Sequence, residues 1–455
     1  MTFTGSPASA ASRLVPATLF LALAAPPLYA DTQTEDLAAR VAELERELAQ
    51  ARDALEQARA GERSKTEALE TLQSRVDSAN DMGPAKIVLG DGSGGELKIG
   101  GAIRANYVIG DYGSSTGGPS RAEGDGGNFE FDTFRINLDY QNGPVLGKVE
   151  YRFYDGYHFL HTGWMGYAFE DGGKVEVGVN RVPFGPGPYG VSQSWFFDQH
   201  YYLGLADDMD LGVKYSRTLG DWSWDLGYYL SDEGTWAGNS RQSARYSYDV
   251  VDESGSGYRE RHQFNLRGIY SLDDVAVPTE LGFSLQYGQL HSQGVQDDGD
   301  HYAASVHMVN QWNNFTLASQ LTRYNIDVDA AQPLGSADLV QFGAYDFPNT
   351  VAAEGWIPAV SLSYRHDTPS IAWLDYVLPY VEYSAVLKDA AGFNDSELVT
   401  LGAAWARGGW YIYTDLALSN GNEFVGGETA FGDRLGANAD DDWQYRFNIN
   451  FGYYF

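Results

Sequence analysis

The feature that most constrains this chain is the stretch Trp443 to Phe455, W-Q-Y-R-F-N-I-N-F-G-Y-Y-F. Trp443, Tyr445, Phe447, Ile449, Phe451, Tyr453 and Phe455 share one face of an extended strand. Gln444, Arg446, Asn448, Asn450 and Gly452 share the other. Such strict alternation has period two, and the apolar face is aromatic at both ends. Strands of soluble proteins usually run about 5–6 residues, whereas a tilted strand crossing a bilayer needs roughly 9–11. An aromatic face suits lipid with interfacial girdles, and a polar face suits a wet lumen.

The same alternation recurs upstream. Leu97, Ile99, Ile103, Ala105 and Tyr107 oppose Lys98, Arg104 and Asn106. Phe134, Ile136, Leu138 and Tyr140 oppose Arg135, Asn137 and Asp139. Val149, Tyr151 and Phe153 oppose Lys148, Glu150 and Arg152. Similar segments near 158–170, 173–182, 209–219, 222–231, 261–271, 279–291, 300–311, 314–326, 356–366, 376–388, 396–407, 409–420 and 443–455 bring the total to sixteen. A further segment, 338–347, alternates weakly. Both ends of a transmembrane barrel sheet lie on one side of the membrane, so the strand number must be even. Short turns counted forward from residue 96 and backward from Phe455 agree only if residues 327–355 form one long external loop. The predicted fold is therefore an all-β transmembrane barrel of 16 antiparallel strands over residues 96–455, wide enough for an aqueous channel.

The N-terminal fifth is a different polymer. Residues 1–30 combine Arg13, an apolar core and a small residue at Ala30, the pattern of a secretory signal, with cleavage after Ala30 or after Ala24. Residues 31–80 are rich in Ala, Glu, Leu, Arg and Gln. Thr32 and Glu35 have capping-box spacing, and Leu37, Val41, Leu44, Leu48, Ala51, Leu55 and Ala58 alternate steps of four and three. The register continues to Leu69, Leu72, Val76 and Ala79, which predicts an α-helical coiled coil reaching into the periplasm; a lone solvated helix is the alternative. Residues 81–95 read as a linker, with a hinge from Gly90 to Gly95.

Composition narrows the function. A net charge of −32 disfavours nucleic acid as a partner. The chain has no Cys, which excludes thiolate metal sites and disulfides. No H-E-x-x-H or P-loop motif is present, so no enzyme activity and no cofactor are expected. His158 and His161 lie three apart on a strand and point to opposite faces. Asp207, Asp208 and Asp210 could take a divalent cation but lack the spacing of a calcium loop, so no metal site is expected.

Two sets of residues are candidates for a pore. On the predicted luminal face lie the bases Lys98, Arg104, Arg135, Lys148, Arg152, Lys174, Lys214, Arg267 and Arg446. Asp139, Glu150, Glu176, Asp225, Glu280, Glu382 and Asp415 share that face. Rings of bases lower the entry barrier for anions, whereas facing acids and bases pair and merely orient solutes. The second set is the stretch 183–207, a candidate constriction loop that includes Pro183, Phe184, Gly185, Trp195, Phe196, Tyr201 and Tyr202. Its aromatics either form a slide for sugars or pack the loop against the wall.

A strand ending in Val182-Pro183-Phe184-Gly185, the Ser/aromatic stretch after it, and the return through Asp210, Gly212 and Lys214 resemble the phosphate-selective porin O and P family. The terminal Phe resembles the closing strand of bacterial outer-membrane barrels, where it is an assembly signal. The resemblance implies a Gram-negative outer-membrane porin for ion transport, a homotrimer contacting outer-membrane lipid, lipopolysaccharide and the barrel assembly machinery. The family's dense Lys cluster has no counterpart here, so phosphate is not the implied solute; sugars or carboxylates remain open. A tether that grips peptidoglycan through the coiled coil, with the barrel as its anchor, is the competing expectation.

Overall fold

A computed structural model describes residues 85–89, 94–111, 128–273, 275–426 and 432–455. The expected signal and coiled coil lie outside the described residues.

Sixteen strands close into one antiparallel barrel. They are β1 (Glu96–Gly110), β2 (Asn128–Asn142), β3 (Val145–Phe153), β4 (His158–Ala168), β5 (Lys174–Arg181), β6 (Met209–Leu219), β7 (Trp222–Asp232) and β8 (Tyr258–Leu272) in the first half. The second half comprises β9 (Thr279–Ser292), β10 (Gly299–Trp312), β11 (Phe315–Asp327), β12 (Glu354–Tyr364), β13 (Tyr376–Lys388), β14 (Ser396–Arg407), β15 (Trp410–Ser419) and β16 (Gln444–Tyr454). Each strand pairs with its sequence neighbours. The barrel closes where β1 meets β16, from Ala102 opposite Tyr454 to Gly110 opposite Arg446. Phe455 completes the seam: its N–H donates to the Gly101 carbonyl at 3.0 Å, and its carbonyl accepts from Gly101 at 2.9 Å. Its ring also lies over Gly101, where an added Cβ would stand 2.8 Å from it.

Inside and outside are inverted relative to a soluble protein. Outward positions such as Ile103, Met165, Leu226, Leu285, Val306 and Leu401 are exposed, while Asn106, Arg135, Glu150, Asn180, Glu382 and Asn448 are buried within. Alternation produces this directly, since one face of each strand points out of the barrel and the other into the lumen. Four of the turns at one end are two residues long, at 143–144, 220–221, 313–314 and 408–409. The first residue of each, Gly143, Gly220, Asn313 or Gly408, has positive φ, as tight hairpins of this twist require. The opposite end carries the long connections 182–208, 233–257 and 328–353.

One detail departs from the sequence reading. Within the expected linker, Ala85–Val88 forms a strand that pairs with Glu96–Ile99 of β1. It covers the stretch of β1 that extends beyond β16 and would otherwise present unpaired backbone. The weak segment at 338–347 lies outside the barrel sheet: Leu339–Ala344 pairs with Phe347–Ala352 and with Asp249–Val250 in a small three-stranded sheet.

The hydrophobic core lies in the lumen, toward the long-connection end. Phe184, Phe196, Tyr201 and Tyr202 of segment 182–208 pack with Tyr246 and Tyr248, with Tyr345 and Phe347, and with Phe424. Tyr201, Tyr202, Tyr246 and Tyr345 bury their rings but keep polar partners, as buried Tyr usually does. Tyr202 donates to the Phe196 carbonyl at 2.6 Å and Tyr246 to Asp207 at 2.5 Å, while Tyr201 and Tyr345 bond to each other.

Candidate functional site

Segment 182–208 leaves β5, folds inward and is held by the far wall. Its hold begins at Gly185, whose N–H donates to Ser284 Oγ of β9 at 3.0 Å and whose carbonyl accepts from Arg267 at 3.4 Å. Gly185 has φ +70°, and a Cβ there would meet Gln320 at 2.9 Å, so glycine permits both the turn and the close approach. Pro183 and Phe184 are buried beside it. Farther along, Glu382 of β13 accepts from Ser192 Oγ at 2.7 Å, from the Gln193 N–H and from Ser361 Oγ at 3.0 Å. Asp415 of β15 accepts from the Trp195 N–H at 2.9 Å, and Ser384 from the Gln199 N–H at 3.1 Å. His200 bridges Asp198 on its own segment and Thr322 of β11, each at 2.8 Å. Asp198 also accepts from the N–H groups of Val191 and His200, which sets the local turn.

The other wall carries bases. Arg104 of β1 reaches Asp132 at 2.9 Å. Arg135 and Arg152 both approach Glu150, at 3.4 and 2.6 Å, and Lys174 and Lys214 both lie 2.8 Å from Glu176. Arg181 meets Asp207 and Arg267 meets Asp225, each at 2.8 Å. Glu150 and Glu176 thus each serve two bases, and each such cluster keeps one net positive charge. Exposure reinforces the imbalance. The Arg104, Lys174 and Arg181 side chains are 18%, 40% and 35% exposed, against 1%, 5% and 1% for their partners Asp132, Glu176 and Asp207. These pairs show water their cation and hide their anion.

The sequence-predicted residues divide accordingly. Lys98 and the looser pair Lys148–Asp139, at 3.7 Å, sit at the short-turn rim. Arg135, Arg152, Glu150 and Glu176 are buried in the wall. Arg446 of β16 instead lies over the Trp195 and Phe196 rings, 5.2 and 5.5 Å from their centroids, and donates to the Phe424 carbonyl. Phe196, Tyr201 and Tyr202 are fully buried in the core, while Trp195, Phe197 and Tyr189 keep part of their surface open.

Alternation missed Asp132 and His161 for one reason. The register between β1 and β2 shifts at Arg104/Ala105, and that between β3 and β4 at Glu150/Tyr151. Each bulge inserts one residue and re-aims it inward. Asp132 arrives at Arg104, and His161 arrives 3.7 Å from Glu150. Asp207 was legible only as one of three nearby aspartates. Glu423, at the long-connection end, had no sequence signal; burial pushes its carboxyl up to about 7, although the Gly432 N–H donates to it at 2.8 Å.

Fold and lumen together define a 16-stranded barrel with an inward-folded, wall-anchored segment. No family model and no curated protein sequence matches the chain. Among solved structures it is similar to the outer membrane channel DcaP of Acinetobacter baumannii, at 10% identity over 80% of this chain and 98% of that one, with a TM-score of 0.50. Outer-membrane expressed OmpT of Vibrio cholerae shows 15% identity over 81% and 100% of the two chains, with a TM-score of 0.49. An anion-selective porin from Comamonas acidovorans shows 12% identity over 79% and 99%, with a TM-score of 0.45. At these identities the likeness is one of fold.

Proposed function

We propose that this protein is an outer-membrane porin, a passive diffusion channel for small hydrophilic solutes. The observation that carries the reading is the inversion of the barrel: apolar side chains outside, a charged lumen inside, and segment 182–208 fixed across that lumen. Solutes pass between the base-bearing wall of β1–β8 and the open side of the segment, where Tyr189, Trp195 and Phe197 stand. The path carries a mild anion preference, because the wall presents cations and withdraws their partners. The net charge of the whole chain opposes this only weakly, since salt screens acids farther than about 8 Å from the path. The preference is for small anions in general rather than phosphate, because the bases are spread along the wall as pairs. The resemblance to phosphate-selective porins O and P is carried only to that level.

Secretion through the signal at 1–30, a periplasmic coiled coil at 31–80 and assembly as a trimer complete the proposal. A second reading is favoured by the packed aromatic core at the long-connection end, which would suit a sealed barrel serving as a tether. Recording single channels from purified protein in planar bilayers separates them. Stable ohmic steps support the porin, and a silent bilayer supports the tether. In a KCl gradient the reversal potential is expected on the anion side; an unmoved potential would remove the anion preference. Liposome swelling with sugars, phosphate and dicarboxylates then ranks solutes.

A further inference from the structure

We propose that Asp208, Asp210 and Asp249 form a site for one divalent cation, calcium by its chemistry, that pins an external connection to the barrel rim. The sequence offered Asp207, Asp208 and Asp210 without calcium-loop spacing. The fold removes Asp207, which pairs with Arg181, and supplies Asp249 from the 233–257 connection instead. One carboxylate oxygen from each of Asp208, Asp210 and Asp249 lies within 4.8 Å of the others, and all three residues are buried. Oδ1 of Asp208 and Oδ1 of Asp210 accept no hydrogen bond. Asp210 is 1% exposed, so its bare oxygen cannot turn to water. Buried carboxylates this close together need either protons or a cation between them.

Positive charge from the protein is short there. Arg245 lies 2.7 Å from Asp249, but it is shared with Asp232 at 3.1 Å and Glu233 at 3.6 Å. Asp210 receives one neutral bond, from Gln263 Nε2 at 3.0 Å. A ligand set made only of carboxylates suits hard cations rather than zinc or copper. Calcium takes about 6–8 oxygens in flexible geometry, whereas magnesium demands a strict octahedron. A small cavity of about 20 Å³ borders Asp208, Asp249, Glu260 and Gln263. That is room for one water molecule, which could serve as a further ligand. The ion would tie Asp249–Val250, and through it the Leu339–Ala344 strand, to the start of β6. This inference stands whether or not the barrel conducts.

The test uses the full chain in detergent after passage over a chelating resin. Equilibrium dialysis with radioactive calcium is expected to find about one tight ion per chain, with affinity on the order of 1 mM or tighter. Calcium should raise the melting temperature, and Asp208→Asn and Asp210→Asn should each abolish both the tight ion and the rise. In chelator the variants should melt later than the parent, because like-charge repulsion is relieved; calcium should reverse that order. Terbium emission excited through tyrosine, with Tyr248 lining the same cavity, reads the site in the unaltered protein and does not depend on the variants folding. Calcium is expected to displace it. A parent that binds no calcium and gives no tyrosine-sensitised terbium emission overturns the proposal. So do variants that keep the tight ion.

Discussion

The two walls of the lumen are built from the same alternating strands, yet they do opposite things with charge. On β1–β8, bases outnumber the acids that hold them, and Arg104, Lys174 and Arg181 are more open to water than their partners. On β9–β15, acids and hydroxyls point inward without bases beside them, and they grip backbone N–H groups of segment 182–208. The difference teaches that a luminal carboxylate is read by its partner. Glu176 between two lysines sets the field of a passage, while Glu382 beneath Ser192 and Gln193 sets the position of a segment. Hydrogen bonds to charged acceptors contribute about 1.5–3 kcal/mol each, and leaving such buried groups unmade costs as much or more. The gripping wall is therefore the mechanical half of the site and the base-bearing wall the electrical half.

The largest expected effect comes from breaking the mechanical half. Glu382→Ala combined with Asp415→Ala removes acceptors for Ser192, Gln193 and Trp195. Single-channel conductance should rise several-fold and become noisy, while the reversal potential stays on the anion side because the other wall is intact. Unchanged conductance would mean that the segment does not limit the path. Next comes the electrical half. Lys174→Gln with Lys214→Gln strands the buried Glu176, which should cost roughly 3–5 kcal/mol in urea unfolding and move the reversal potential toward cations. Glu176→Gln should move it the other way, toward anions, at lower cost to stability. Shifts of equal sign in the two variants would defeat the assignment.

How much of this contrast alternation could announce depends on the residue. Arg104, Arg135, Arg152 and Glu176 fall on the inner face by simple period two, so the charged lumen was legible. Even parity placed residues 338–347 in an external connection, which is where the small sheet forms. What alternation cannot carry is a change of register. Asp132 belongs to the outer face by extrapolation from Phe134, and only the bulge turns it to Arg104. Glu382 and Asp415 were legible as inward acids, but their work depends on where segment 182–208 lands, a contact between residues about 190–220 positions apart. Phe196, Tyr201 and Tyr202 show the same limit, since an aromatic run reads alike whether it lines a path or fills a core.

A pH experiment sharpens the gripping half from above. Phe424 packs against Trp195 and Tyr202, and its neighbour Glu423 is buried, with its carboxyl raised to about 7 by burial. A carboxyl that binds its proton more tightly folded than unfolded stabilises the fold while protonated. Stability should therefore fall as pH climbs from the ordinary carboxylate value of 4.5 to about 7, then level off. The total should be on the order of 3 kcal/mol. Glu423→Gln should flatten that slope. Protection of the Gly432 amide from hydrogen exchange should track the same curve, because Glu423 holds it.

The smallest effect is the one that tests whether place or charge defines the electrical wall. Lys148 carries the same charge as Lys214 and also has an acid partner, but the Lys148–Asp139 pair is long, at 3.7 Å, and its acid is the more exposed member, 44% against 25%. An open pair of this kind is worth about 0–1 kcal/mol and is screened by salt. It also shows water its anion, the reverse of Arg181–Asp207. Lys148→Gln should leave unfolding within about 0.5 kcal/mol of the parent. The reversal potential should move far less than in Lys214→Gln at equal ionic strength. A shift as large as that of Lys214→Gln would place ion selection at the short-turn rim. The contrast between the two walls would then describe how segment 182–208 is held and nothing about what passes it.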